Sequence, residues 1–191
     1  EITEYIQGLP LARERGIHSN WSTNEKTAME EALGMSFAGK RALVCMKHVG
    51  MNVAADAFVN SAMTGANGGL MVVAADDPSM HSSQNEQDSR FYGKFALVPV
   101  FEPSCQQETY EMTGYGFDLS ERFRIPVLMR LTTRMAHSRA VVETRDAKTQ
   151  NEKSYPAEAR QWVLMPGNSR ARYKVLIEDY RKLEEEAASS R

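Results

Sequence analysis

The side chains best suited to chemistry in this 191-residue chain lie in four short polar clusters, at residues 22–25, 47–52, 76–90 and 130–137. The clusters contain carboxylate, imidazole and guanidinium groups, which move protons and bind carboxylates or phosphates in enzyme sites. The last three clusters each follow a short apolar run. Their positions in space therefore depend on the elements that come before them.

The first cluster ends at Glu25 and has two interpretations. Ser22 and Glu25 match a capping box, in which each side chain accepts a hydrogen bond from the backbone N–H of the other residue. Alternatively, Glu25 begins a helix at the end of a sheet and points into the crevice where open α/β sheets bind their ligands. The local sequence leaves both interpretations open.

The second cluster leads from a buried strand into a helix. Gly50 lets the backbone approach another group closely, and a helix N-terminus favours an anion or a hydrogen-bond acceptor. His48 could act as a base, as a ligand donor, or as a loop histidine whose hydrogen bonds are satisfied. Too few glycines are present for a nucleotide-binding fingerprint.

The third cluster is mostly polar, and an ordinary solvated loop would explain it. Arg90 stands out because a guanidinium can bind a carboxylate through two hydrogen bonds. Asp76 and Asp77 have no third ligand at a spacing that suits a hard cation, so we predict no metal site. The fourth cluster carries Arg134 and His137 at the end of another apolar run.

Four apolar runs predict the strands that position these clusters. They begin 27 to 29 residues apart and lack polar alternation, which is typical of strands buried on both faces. Segments with helical spacing lie between them, most clearly 52–64 and 106–123. This order predicts an α/β fold, a parallel sheet flanked by helices, with all four clusters near the carboxyl edge. The predicted strands are 41–46, 70–75, 97–101 and 126–131.

The ends of the chain suggest a larger protein. Helices are predicted at 3–15 and 22–38, ahead of any strand, so we expect a first strand upstream of Glu1. We divide the chain into an α/β domain at 1–139, a polar excursion or linker at 140–168, and a charged helix at 169–191 that leads to a further domain.

Composition excludes several classes of protein. The chain has 23 Lys and Arg against 25 Asp and Glu, so its charge gives no general reason to bind nucleic acid or an anionic membrane. It has neither a long apolar span nor a secretory leader, so we expect a cytoplasmic protein. Two cysteines cannot ligate an iron–sulfur cluster. We expect Cys45 to be buried and Cys105 to lie at a helix start.

The clusters and their surroundings resemble one family closely. Residues 21–26, 46–56, 74–88, 132–134 and 137–139 are similar to the α (large) subunits of indolepyruvate:ferredoxin oxidoreductases. These belong to the thiamine-diphosphate-dependent 2-oxoacid:ferredoxin oxidoreductases. The resembled part is the N-terminal, pyrimidine-binding domain.

The resemblance implies a role for Glu25. A glutamate at the matching position hydrogen-bonds N1′ of the cofactor's aminopyrimidine ring and favours its 4′-imino tautomer. The implied reaction is the oxidative decarboxylation of an arylpyruvate to an acyl-CoA, with ferredoxin as the electron acceptor and the cofactor as electron sink. The resemblance further implies that His48, Gly50 and Asn52 border the cofactor. It offers Arg90 for the substrate carboxylate or as a loop anchor, and His81 as a weaker substrate-binding candidate.

The family's remaining machinery is not found in this sequence. It contains no Gly-Asp-Gly element followed by Asn for Mg²⁺ and the diphosphate, and no ferredoxin-type cysteine clusters. We therefore expect a diphosphate-binding domain of the same or a neighbouring subunit, a β subunit and ferredoxin as partners, and no turnover by this chain alone. Two alternatives stay open: a non-catalytic α/β scaffold with Glu25 as a helix cap, and an oxidoreductase for another 2-oxoacid.

Overall fold

The structure is a computed structural model that describes residues 2–189. Its strands are β1 (Ala42–Lys47), β2 (Leu70–Asp76), β3 (Val100–Phe101) and β4 (Val127–Thr132). Its α-helices are α1 (Ile2–Gly8), α2 (Pro10–Glu14), α3 (Glu25–Phe37), α4 (His48–Thr64), α5 (Arg90–Ala96), α6 (Gln106–Phe123), α7 (Thr133–His137) and α8 (Pro166–Ser189). A short 3₁₀ helix spans Ala159–Trp162.

The four strands form one parallel sheet in the order β1-β2-β4-β3, which confirms the predicted α/β fold. Their Leu, Val and Met runs make β2 and β4 almost wholly buried. The register pairs Asp76 with Thr132, so the carboxyl ends of β2 and β4 lie side by side. Because β1 runs parallel to β2, the start of α4 reaches the same edge of the sheet.

Helices α3 and α4 pack against each other and against β1. Met29 of α3 and Met51 and Phe58 of α4 are fully buried between these elements. Helix α6 packs on β2 and β4, where Gly116 leaves room for the Met71 side chain: a Cβ there would lie 2.7 Å from the Met71 methyl carbon. This packing fixes the starts of α3 and α4 next to each other at the carboxyl edge.

Several predicted boundaries were wrong for local reasons. The helix expected at 3–15 is interrupted at Leu9, which is extended ahead of Pro10. The strand expected at 97–101 is only Val100–Phe101, because Leu97 adopts a left-handed conformation that ends α5. Helix α5 itself was not predicted. Helix α4 begins at His48 rather than at residue 52, which places His48 and Gly50 in its first turn.

The polar segment 140–158 has no regular structure, but it lies against the domain. Glu143 exchanges two hydrogen bonds with Gln107 of α6, and Asn151 donates to the Gly39 carbonyl oxygen over 2.9 Å. The division at residues 139 and 168 and the further domain stay predictions. Glu1 and the last two residues of the predicted 169–191 segment lie outside the described residues. Between residues 2 and 189, no helix is both long and apolar enough to cross a membrane.

Candidate functional site

Glu25 is the first residue of α3 and does not cap it. The N-cap is Asn24, whose side-chain oxygen accepts a hydrogen bond from the Thr27 N–H over 3.0 Å. The Ser22 hydroxyl instead donates to Glu31 over 2.7 Å. The capping-box interpretation is therefore wrong, because Asn24 already satisfies the helix start and leaves the Glu25 carboxylate uncommitted.

The Glu25 side chain lies directly on the bare backbone of Gly50. A Cβ at Gly50 would be 2.6 Å from Glu25 Cγ and 2.9 Å from Oε1. Glu25 is half-buried there, and among residues 2–189 its carboxylate has no hydrogen-bond or ion-pair partner. A partly desolvated carboxylate without a partner can accept hydrogen bonds from a bound molecule or share a proton with it.

His48 is buried at the first position of α4, and its ring contacts two backbone carbonyl oxygens. Nε2 is 3.0 Å from the Asn85 oxygen and Nδ1 is 3.4 Å from the Ala75 oxygen. A neutral imidazole has one N–H, and the shorter contact favours Nε2 as the donor. His48 thus joins the start of α4 to the loop that follows β2. Its predicted contact with a cofactor stays a prediction.

Asn52 lies on the exposed side of the second turn of α4. Its side-chain oxygen accepts a hydrogen bond from the Tyr92 hydroxyl on α5. The bond connects α4 with α5. In the described part of the chain, the Asn52 amide nitrogen donates to no other group, so it is available to a ligand at this edge.

The loop at residues 77–89 is held firmly at several points. Asp77 is only 3% exposed and accepts hydrogen bonds from the Ser82 N–H and the Thr133 hydroxyl, both over 2.7 Å. Lys47 donates to the Ser82 carbonyl oxygen over 2.9 Å. The bond from the Ser82 N–H, followed by that from Thr133, holds the pKa of Asp77 well below its usual range. The solvated-loop interpretation is therefore incomplete.

A buried ion pair supports this loop from below. The Asp76 side chain is fully buried and accepts hydrogen bonds from Arg130 Nε over 2.6 Å and from the Ser89 N–H over 2.9 Å. Arg130 also bonds to Glu102. The sequence placed Arg130 in the fourth cluster without a role. A signal was present, since a charged residue within a buried strand needs a partner and Asp76 ends the neighbouring strand.

Arg90 is paired within the chain, at the start of α5. Its Nε and Nη2 contact Asp88, at 2.9 and 2.6 Å, and its Nη1 donates to Glu102 over 3.1 Å. All three guanidinium nitrogens therefore face carboxylates, which matches the loop-anchor alternative. A substrate carboxylate could bind Arg90 only by replacing Asp88 or Glu102. That role stays a prediction.

His81 is exposed on the same loop, after Ser79 and Met80, which both adopt left-handed backbone conformations. The structure brings His48, Asn52 and the loop of His81 to the edge where Glu25 meets Gly50. Among residues 2–189, no group of three His, Cys, Asp or Glu side chains is placed to hold a metal ion. Two cavities, of about 140 and 420 Å³, lie elsewhere, beside α8 and beside α1 and α2.

The cysteines lie away from these contacts. Cys45 of β1 is largely enclosed, and burial raises the pKa of its thiol to about 11, so it behaves as a small apolar residue. Cys105 is exposed and occupies the N-cap position of α6, as predicted.

Comparison with known proteins identifies related sequences. The family model described as "Pyruvate flavodoxin/ferredoxin oxidoreductase, thiamine diP-bdg" matches residues 11–187. A protein of Methanothermobacter marburgensis named "Indolepyruvate oxidoreductase subunit IorA" is 44% identical over 94% of this chain. A protein of the same name from Archaeoglobus fulgidus is 46% identical over 87% of this chain. The chain spans 29% and 27% of the lengths of these two relatives.

The solved structures support the fold. The 2-oxoglutarate:ferredoxin oxidoreductase from Magnetococcus marinus, solved with 2-oxoglutarate, coenzyme A and succinyl-CoA bound, superposes with a TM-score of 0.65. The match covers 96% of this chain and 40% of that chain, at 12% sequence identity. At this identity the likeness concerns the fold alone.

Replacing Gly50 with alanine should displace Glu25. A Cβ added at Gly34 of α3 would have no other atom within 4 Å, so Gly34→Ala should stabilise the protein by about 0.5–1 kcal/mol through helix propensity. The free energy of unfolding measured in urea should rise clearly less for Gly50→Ala, because the new methyl group would occupy the space of Glu25 Cγ. A crystal structure of Gly50→Ala should show Glu25 rotated away. Equal stabilisation of both variants with Glu25 unmoved would contradict this contact.

The Asp77 contacts should make stability depend on pH. A carboxyl group whose pKa is lowered by folding stabilises the protein above its ordinary pKa of about 3.9, and this contribution is lost as the pH falls below that value. Asp77→Asn should therefore lower the free energy of unfolding at pH 7, and the difference from wild type should shrink between about pH 4 and pH 2. Thr133→Val should weaken the same pH dependence because it removes one donor. If the free energies of unfolding of Asp77→Asn and wild type differ by the same amount at every pH, the Asp77 carboxylate does not stabilise the fold through these hydrogen bonds.

Proposed function

This chain belongs to the pyruvate flavodoxin/ferredoxin oxidoreductase family of thiamine-diphosphate-binding domains, and we propose that it forms the pyrimidine-binding half of a 2-oxoacid oxidoreductase site. We further propose arylpyruvates, with indolepyruvate foremost, as substrates. The substrate would lose CO₂, its acyl group would pass to coenzyme A, and two electrons would pass to ferredoxin. The names of the relatives support the choice of indolepyruvate.

One observation carries the proposal: the Glu25 carboxylate rests on Gly50 with no partner in the described chain. A half-buried carboxylate without a partner can hydrogen-bond a ring nitrogen and share a proton with it. The missing Cβ of Gly50 gives the carboxylate its place, and no capping bond competes for it. Asn52, two residues after Gly50 on the exposed side of α4, adds an amide donor without a partner in the described chain.

When bound, thiamine diphosphate supplies the electron sink for decarboxylation of a 2-oxoacid. The contribution of this chain is to hold the pyrimidine ring and control its proton. Glu25 would accept a hydrogen bond at the ring nitrogen and so favour the tautomer that can remove a proton. Its partly desolvated setting strengthens this interaction relative to water.

The surrounding contacts give the site rigidity. His48 fixes the loop after β2 through its bond to the Asn85 carbonyl oxygen, and the pair of Asp76 and Arg130 fixes the end of the same loop. We propose His48 and Gly50 as residues that border the cofactor, and Arg90 and His81 as candidates for the substrate side. Arg90 would bind substrate only by releasing one of its carboxylate partners.

Other parts of the enzyme would complete the reaction. We propose that Mg²⁺ and the diphosphate are bound by a second domain, of the same or a neighbouring subunit, and that iron–sulfur clusters elsewhere conduct electrons to ferredoxin. A β subunit and a cytoplasmic location belong to the same proposal. The chain spans only about 29% of the relatives' length, so we expect it to show no turnover without these parts.

Glu25→Gln in the complete enzyme tests the proposal. The amide cannot take up a proton, so we expect kcat to fall by about 10²- to 10⁴-fold while the fold is retained. Asn24→Ala is the matched control: it removes the observed cap and should cost about 0.5–2 kcal/mol of stability with little change in kcat. If Glu25→Gln instead loses only stability and keeps its rate, the domain is a scaffold at this position.

The choice of substrate is tested by the specificity constant. We expect kcat/KM for indolepyruvate to exceed the values for pyruvate and 2-oxoglutarate by about 100-fold or more, since a site shaped for an aromatic side chain loses contacts with smaller acids. The measurement follows reduction of ferredoxin with each acid in the presence of coenzyme A. Faster turnover of pyruvate or 2-oxoglutarate would keep the reaction class and exclude the arylpyruvate assignment.

A further inference from the structure

Five large apolar residues are exposed in the segments that border the candidate site. We call them the apolar rim: Trp21, Val53, Met80, Phe91 and Phe95, with 67%, 48%, 51%, 70% and 73% of their surfaces exposed. Trp21 comes just before the start of α3, and Val53 adjoins Asn52. Met80 lies on the loop after β2, and both phenylalanines lie on α5.

Helix α5 holds its two phenylalanines outward by contacts on its other side. Tyr92 donates a hydrogen bond to Asn52, and Arg90 binds Asp88 and Glu102. Gly93 is pressed so closely against Val100 Cγ2 that no Cβ would fit there. Phe91 and Phe95 are four residues apart and share a helix face. A short helix fixed on one side, with two phenylalanines on the opposite side, is organised for contact with another protein surface.

The segments that carry the rim adjoin the edge where Glu25 meets Gly50, and this edge must be covered if Glu25 acts on a bound molecule. Water has to be excluded for a shared proton and a polar contact to gain strength. Glu25 is only half-buried and Asn52 is exposed, so a cover over both would come from outside the described residues. More than two thirds of the relatives' length lies outside the matched part, which provides a source for such a cover.

We propose that the apolar rim is the contact surface for a second domain of the same polypeptide, with Phe91 and Phe95 as its main anchors. This inference rests on the proposed function and specifies which residues join the two halves of the site. A second copy of this chain is the less favourable occupant. Two copies that meet through this edge would bring two Glu25 carboxylates into one interface, and like charges are costly to bury together.

Photo-crosslinking in the holoenzyme identifies the occupant directly. p-Benzoylphenylalanine at position 95 keeps an aromatic side chain of similar shape. We expect crosslinks, mapped by mass spectrometry, from position 95 to a domain of the same polypeptide outside the matched region. The same group at Tyr173 of α8, which is 51% exposed, is the control position and should not give those crosslinks. No crosslink from position 95, or crosslinks to the rim of a second copy or to another protein, would overturn the proposal.

Substitution of Phe91 and Phe95 measures how much they contribute to cofactor affinity. Phe91→Ser with Phe95→Ser should leave the circular dichroism spectrum of the holoenzyme unchanged, because both side chains are exposed within this domain. Its Kd for thiamine diphosphate should rise at least 10-fold, whereas Tyr173→Ser should leave Kd unchanged. An unchanged Kd in the double variant would also overturn the proposal.

The two proposals can fail separately. If the crosslinks form as expected but the wild-type holoenzyme does not bind thiamine diphosphate, the contact surface stands and the proposed function fails. If the cofactor binds and Glu25→Gln abolishes turnover, but position 95 gives no crosslink within the polypeptide, the proposed function stands and the apolar rim is not the joint.

Discussion

The contact between the Glu25 side chain and the Gly50 backbone is the constraint on which the site depends. It exists because α3 and α4 pack closely against β1, with Met29, Met51 and Phe58 fully buried. It also requires that Asn24 caps α3, since a carboxylate used as a cap would be turned back toward its own helix. An apolar core and one local hydrogen bond thus place an unpartnered carboxylate at the open edge of a parallel sheet.

Two arginines and four carboxylates at this edge are paired or hydrogen-bonded within the chain, in contrast to Glu25. Asp76, Asp88 and Glu102 are shared between Arg90 and Arg130, while backbone and hydroxyl donors hold Asp77. Burying charges is costly unless each is paired and hydrogen-bonded, so these pairs stabilise the loop, and Arg90 could bind a ligand only by releasing a carboxylate partner. Conversely, a carboxylate left without a partner beside such a network is the one available for chemistry.

The sequence predicted what depends on periodicity and missed what depends on tertiary contacts. Buried strands follow from runs of apolar residues and α6 from helical spacing, and the bounds of α6, Gln106–Phe123, agree fully. Helix α5 was not predicted, because its phenylalanines are exposed and its apolar residues do not follow the pattern of a helix packed on the core. The pairing of Arg90 with Glu102 could not be foreseen, since Glu102 is twelve residues away and follows β3. The sequence favoured Ser22 and Glu25 as a capping box, and only the structure identifies Asn24 as the N-cap.

These failures and the proposed function have a common physical origin. A residue pattern that breaks the rules for an isolated domain, such as exposed phenylalanines or an uncommitted carboxylate, is stable only if another surface uses it or if function requires it. In this chain both irregularities lie on helices that contact α4: Glu25 of α3 lies against Gly50 of α4, and Tyr92 of α5 donates a hydrogen bond to Asn52 of α4. An isolated scaffold would have no reason to combine them. Half of a site that closes against a second domain requires both, because the carboxylate needs a dry environment and the aromatic residues provide the means of excluding water.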